Sequence, residues 1–182
     1  LFSKLMLVAM AATVFVACED VPEPYDIPGT GSNTPGSSEI VGAEGTGTLE
    51  DPFNAAAALN YGNQLAAGEE SPSYMYIKGK VVSIAEEFTT QYGNARFTIS
   101  DDGKASNTFL AYRVLYLGNK RFTASDTQIQ VGDDVVVCGI ITNYNGTIET
   151  AQNKGFLYSL NGENRGGEPQ QGGTPSEATG DG

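Results

Sequence analysis

The stretch YIKGKVVSI at residues 76–84 decides the fold. Strict alternation puts Ile77, Gly79 and Val81 on one face and Tyr76, Lys78 and Lys80 on the other, the period-two pattern of a half-buried strand. Glycine inside such a strand weakens it unless the chain bends there, as at a barrel corner. Two later stretches echo the pattern, RFTIS at 96–100 and VGDDVVVCGII at 131–141. The first strand is therefore expected over about Tyr74 to Ile84. A second, from about Asn94 to Ser100, buries Phe97 and Ile99 and exposes Arg96 and Thr98.

Working outward, Asp101-Asp102-Gly103-Lys104 reads as a turn. A third strand lies within NTFLAYRVLYL at 107–117, whose two faces are both apolar. Alternation leaves the sides taken by Tyr112 and Arg113 open. Residues 118–130 form a polar connection with a helical turn. A fourth strand runs from about Asp134 to Thr142, and Tyr144-Asn145-Gly146 is a hairpin turn into a fifth from Thr147 to about Ala151. GFLYSL at 155–160 returns to the sheet.

Ahead of the strands, residues 51–67 are expected to be helical. Asp51 is placed as N-cap and Pro52 at the first helical position. Phe53, Ala57, Tyr61 and Leu65 form one apolar stripe, and Gly68 stops the helix. Its many alanines allow close approach, so it is expected to lie against the sheet or plug one end.

The flanks differ in kind. Residues 19–70 hold ten acids and no base, residues 71–162 hold eight of each, and residues 163–182 hold four acids and Arg165. The net charge of −12 thus belongs to the flanks, and the central domain is neutral. Gly, Pro, Ser, Thr and acids dominate from residue 18 to 47, which predicts a disordered acidic tether. The same composition from 163 to 182 predicts a disordered linker or tail. The echo of Thr34-Pro35 in Thr174-Pro175 suggests that the natural chain continues into a second module.

At the N-terminus, Lys4 precedes an apolar run from Leu5 to Ala17, the length of a signal-peptide core and short for a bilayer span. Val16-Ala17-Cys18 resembles a bacterial lipobox, with Phe15 where that motif usually has Leu. The resemblance implies a signal peptide over 1–17, diacylglycerol on Cys18 and a membrane partner through that lipid. Glu19-Asp20 directly after the cysteine resembles the export signal of Bacteroidetes surface lipoproteins, implying the outer membrane and the cell surface. With Cys18 lipidated, Cys138 has no disulfide partner, and inside VVVCGII it reads as a small core residue.

Five strands with a non-hairpin link between the third and fourth follow the order of an OB-fold. The residues carry a closer likeness. Ile77-Lys78-Gly79-Lys80-Val81, Phe97-Thr98-Ile99-Ser100-Asp101, and Val131-Gly132-Asp133 followed by Gly139 resemble the nucleic-acid-binding OB-fold of the anticodon-binding type. GTGTLEDPFNAAAAL at 45–59 is similar to the segment that precedes such domains in Bacteroidetes surface lipoproteins. The expected fold is mainly β: a five-stranded OB-fold Greek-key barrel over 48–162, with an N-terminal helix and disordered flanks.

Little in the chain points to catalysis. It contains no histidine, so His-based general bases, triads and His-containing metal sites are absent. The adjacent pairs Glu86-Glu87 and Asp133-Asp134 point to opposite faces within a strand and make no carboxylate dyad. Asp101-Asp102-Gly103 lacks the spaced oxygen ligands of a calcium loop. No enzyme, metal or cofactor is expected.

Binding is the remaining class. Lys78, Lys80 and Arg96 are the candidate phosphate contacts and Tyr76 a stacking face, with Tyr112 and Arg113 bordering them. The family likeness implies single-stranded nucleic acid. A neutral domain lacks the basic excess of most nucleic-acid binders. The alternatives are a glycan, with tyrosines stacking on sugar rings in the absence of any tryptophan, or a protein partner in the envelope.

Overall fold

The sheet closes around the first strand, which changes neighbours next to Gly79. In a computed structural model that describes residues 39–169, β1 (Met75–Glu86) is shared between two neighbours. Its first half pairs antiparallel with β4 (Asp134–Tyr144), from Met75 opposite Gly139 to Lys80 opposite Asp134. Its second half pairs with β2 (Asn94–Ser100), from Lys80 opposite Ser100 to Glu86 opposite Arg96. A side chain at Gly79 would put its Cβ 3.0 Å from the Ser100 carbonyl oxygen and 3.2 Å from Ile99 Cβ. Glycine spares the two ladders that crowding where they hand over.

The remaining strands complete the ring. β2 pairs with β3 (Phe109–Leu115), and β3 runs parallel to β5 (Thr147–Leu160), with Leu110 opposite Glu149 and Leu115 opposite Phe156. β5 then returns antiparallel to β4 through a two-residue turn. Asn145 at φ 50° and Gly146 at φ 91° give that turn the left-handed pair that matches strand twist. The closed circuit β1-β2-β3-β5-β4 is a five-stranded barrel consistent with an OB-fold. Ile77, Val81, Phe97, Ile99, Phe109, Val137 and Leu157 fill it and are fully buried. The expected fifth strand and the returning segment 155–160 are one strand, continuous through β5, with β6 (Glu163–Asn164) paired to its end.

The helix departs from expectation. α1 spans Ala55–Asn63 rather than 51–67, and its N-cap is Asn54, not Asp51. Tertiary pairing overrides the local signal: Phe53 donates its N–H to the Tyr76 carbonyl and accepts from Lys78 N–H, so residues 51–53 are held extended. The segment from Gly47 to Phe53 thereby covers the edge of β1 that β2 does not reach, which hides a sheet edge from other chains. Gly68 lies beyond the C-cap, Gln64, and donates its N–H to the Asn143 carbonyl. α1 touches all five barrel strands and closes one end, with Ala55 to Ala58 buried.

The opposite end is closed without a helix. Residues 118–130 form turns around an aromatic box in which Tyr116 meets Phe88 edge-on at 5.0 Å and Phe122 at 5.2 Å. Gln128 ties this connection to the β1–β2 loop through both its amide atoms, to the backbone of Phe88. Contacts also reach residues on either side of 48–162. Ile40 exchanges two hydrogen bonds with the Asn60 side chain, and Arg165 pairs with Asp126, whose side chain is 7% exposed. Hydrogen bonds from Arg165 and Thr123 outweigh burial and hold the Asp126 carboxyl below its ordinary value. The signal peptide, Cys18, most of the tether and the end of the tail lie outside the described residues.

Candidate functional site

Strand register sorts the expected binding residues into two places. Tyr76, Lys78 and Lys80 lie on the half of β1 that pairs with β4, whereas Arg96 pairs with Glu86 at the far end of β1. Lys80 sits opposite Ser100 and Arg96 four residues further along β2, so the basic residues do not form one patch. Tyr112 and Arg113 fall beside Arg96, on β3.

The first place is a cleft of roughly 430 Å³ between α1 and the β1–β4 ladder. Lys78, Lys80, Glu44, Asp101 and Asp134 line it together with Asn54. Most of these groups are spent on the fold. Lys80 Nζ donates to Asp134 Oδ1 at 2.6 Å. The Asp101 carboxylate accepts from the N–H groups of Ala55, at 2.6 Å, and Ala56, at 3.3 Å, where the first turn of α1 leaves donors unpaired. Asn54 Oδ1 accepts from Ala57 N–H and Glu44 N–H, and its Nδ2 donates to the Gly42 carbonyl. Lys78 is exposed and forms no ion pair among the described residues.

Tyr76 is not a free platform. Its ring meets Tyr158 edge-on at 5.2 Å, over Cys138, its partner across the ladder. Burial, and Cys138 beside it, push the phenol up to about 12. Burial likewise pushes the Cys138 thiol up to about 12, so the cysteine acts as a packed apolar residue and not a nucleophile.

The second place is the outer face of β2, β3 and β5. Pairing aligns Ser83, Thr98, Leu110, Glu149 and Thr142 in one row across the barrel, because their strand neighbours Phe97, Phe109 and Ile141 point inward. One step along lie Arg96 and Tyr112. The β3 ladder slips here, and Arg113 takes φ 50°, a strained value for a residue with a Cβ. Its guanidinium carbon lies 5.3 Å from the centre of the Tyr112 ring.

One atom on this face lacks the partner that burial demands. Arg96 Nε is buried with no hydrogen bond, and the guanidinium reaches Glu86 only at 3.5 Å. Glu149 is 7% exposed and its carboxylate has no hydrogen-bond partner among the described residues. Burial raises the Glu149 carboxyl above its ordinary value, and the charge of Arg96 pulls against that shift. The two form no direct ion pair. Glu149 was missed at the sequence level; its signal is a lone acid inside the β-branched run Thr147-Ile148-Glu149-Thr150.

No group of acids and cysteines among the described residues is arranged to hold a metal ion. None of the described helices is long and apolar enough to cross a membrane. Compared with protein-family models and with curated proteins, the chain matches none.

Proposed function

We propose that the barrel is a non-enzymatic binding module of a lipid-anchored cell-envelope protein, and that it holds a glycan across the outer face of β2, β3 and β5. The anchor rests on Val16-Ala17-Cys18 and the apolar run before it, and surface exposure on Glu19-Asp20. The ligand reading rests on one observation. On that face Arg96 Nε is buried without a hydrogen bond, and Glu149, 7% exposed, lies within reach of the Arg96 charge, so an acid and a base share one surface.

Charge favours a neutral ligand. Arg96 has Glu86 and Glu149 beside it, and Lys80 has Asp134, so a polyphosphate would meet an acid wherever it met these bases. Single-stranded nucleic acid is the second reading. Lys78, free of ion pairs among the described residues, and the Tyr112–Arg113 pair favour it. A protein partner is the third.

Affinity electrophoresis of the full chain in gels containing dextran, mannan or laminarin separates these readings, run beside fluorescent single-stranded DNA and RNA at low salt. Retardation by a polysaccharide without oligonucleotide binding is expected. Micromolar, salt-sensitive oligonucleotide binding alone would move the function to nucleic acid. Neither response would leave a protein partner. Cys18→Ser should release the protein from the membrane fraction, and retention there would remove the lipid anchor.

A further inference from the structure

The chain contains two Asn–Gly sequences, Asn145-Gly146 and Asn161-Gly162, and both form two-residue turns between antiparallel strands. Their backbones are nearly the same, with φ of 50° and 91° in the first turn and 49° and 85° in the second. All four residues are exposed, and neither glycine has an atom beyond its chain neighbours within 4 Å of where a Cβ would stand. The asparagine side chains differ. Asn161 Oδ1 accepts from Asp134 N–H at 3.0 Å, and its Nδ2 donates to Asp133 Oδ1 at 2.9 Å. The Asn145 side chain forms no hydrogen bond among the described residues.

We infer that Asn145 is a site of spontaneous conversion to isoaspartate and aspartate, and that its two hydrogen bonds protect Asn161. The Gly146 nitrogen, its proton taken by solvent base, attacks Asn145 Cγ. A C–N bond forms, the Cγ–Nδ2 bond breaks, and the amide nitrogen leaves as ammonia with a proton from solvent. Water then opens the cyclic imide at either carbonyl, so an amide becomes a carboxylate with no oxidation or reduction. Glycine favours the attack because no side chain crowds its nitrogen and its backbone moves freely. At Asn145 that movement breaks one exposed hydrogen bond, from Gly146 N–H to Asn143 Oδ1 at 2.8 Å. At Asn161 the side chain must give up two, one of them to a carboxylate. Opening towards isoaspartate routes the main chain through Asn145 Cβ and lengthens a turn that sets Tyr144 opposite Thr147. Asn143, next to that turn, ties the hairpin to the Leu65 carbonyl just after α1. The product therefore carries new negative charge and slack at the hairpin tip.

The full chain is incubated in mildly alkaline buffer, folded and in urea, and both sites are followed by mass spectrometry of peptides cut at acidic pH. In the folded chain Asn145 should convert about tenfold faster than Asn161, the effect of about one further hydrogen bond, and the two rates should draw together in urea. Asp133→Ala frees Asn161 Nδ2 and should speed conversion there several-fold while leaving Asn145 unchanged. Equal rates in the folded chain, a lead for Asn161, or no conversion at either site would overturn the inference. A lead of Asn145 that persists in urea would also overturn it, because the local sequence and not the fold would then set the rates. So would an unchanged Asn161 in folded Asp133→Ala.

Discussion

The cleft beside α1 and the outer face of β2, β3 and β5 hold similar side chains in different states. In the cleft, Asp101, Asn54, Lys80 and Asp134 are all engaged, two of them on the N-terminal turn of the helix. On the outer face of β2, β3 and β5, Arg96 Nε is buried without a partner, and the Glu149 side chain forms no hydrogen bond among the described residues. Satisfied polar groups hold a fold together, whereas unsatisfied buried ones cost stability and persist where something else uses them. The groups lining the cleft are part of the fold's own hydrogen bonding.

The sharpest way to break this comparison is on the cleft side. Asn54→Ala removes the α1 cap and the clasp on Glu44 and Gly42, and should destabilise the protein by about 2–3 kcal/mol in urea unfolding. A loss within error would mean that the cleft is not structural. Gly62→Ala is the next largest. Helix propensity alone makes it stabilising, yet its Cβ would lie 2.2 Å from Ile148 Cγ2. Overpacking should win, costing about 1–2 kcal/mol.

On the outer face the sign reverses. Glu149→Gln should raise Tm by about 1–2 °C at neutral pH, because burial disfavours the Glu149 charge more than Arg96 favours it. Burial raises the Glu149 carboxyl in the folded state, so the native protein holds its proton more tightly than the unfolded chain. Wild-type stability therefore falls as pH rises through that window. The advantage of Glu149→Gln should shrink on acidification and vanish below the ordinary value of 4.5. Thermal melts across pH check this, and a gain that persists in acid would mean that the Glu149 charge is not its cause. The smallest effect is expected for Lys80→Ala, below about 0.5 kcal/mol, since the Lys80–Asp134 pair is half in water.

The barrel was legible because its strands carry period-two alternation, and Gly79 lies next to the point where β1 changes neighbours. Asn94–Ser100 was placed to the residue, and Asn145-Gly146 marked the hairpin. The helix start was not legible from Asp51-Pro52, because Phe53 is claimed by a strand pairing that no local pattern encodes. The site was half legible. Arg96, Tyr112 and Arg113 stand together, but Lys78 and Lys80 belong elsewhere, since alternation on β1 does not reveal which neighbour each half takes. Glu149 escaped for a related reason. Its environment is made by β3, a parallel neighbour some forty residues earlier, and by a guanidinium two strands away.

The most direct test sets the two regions against each other. The full chain is taken as wild type, as Arg96→Gln with Glu149→Gln, and as Lys78→Gln with Lys80→Gln. All three are measured against whichever polysaccharide retards the wild type, with folding checked by circular dichroism. Loss of retardation in the Arg96 and Glu149 variant alone is the expected result. Loss in the cleft variant, with the Arg96 and Glu149 variant still binding, would contradict the account and return the function to the β1 lysines.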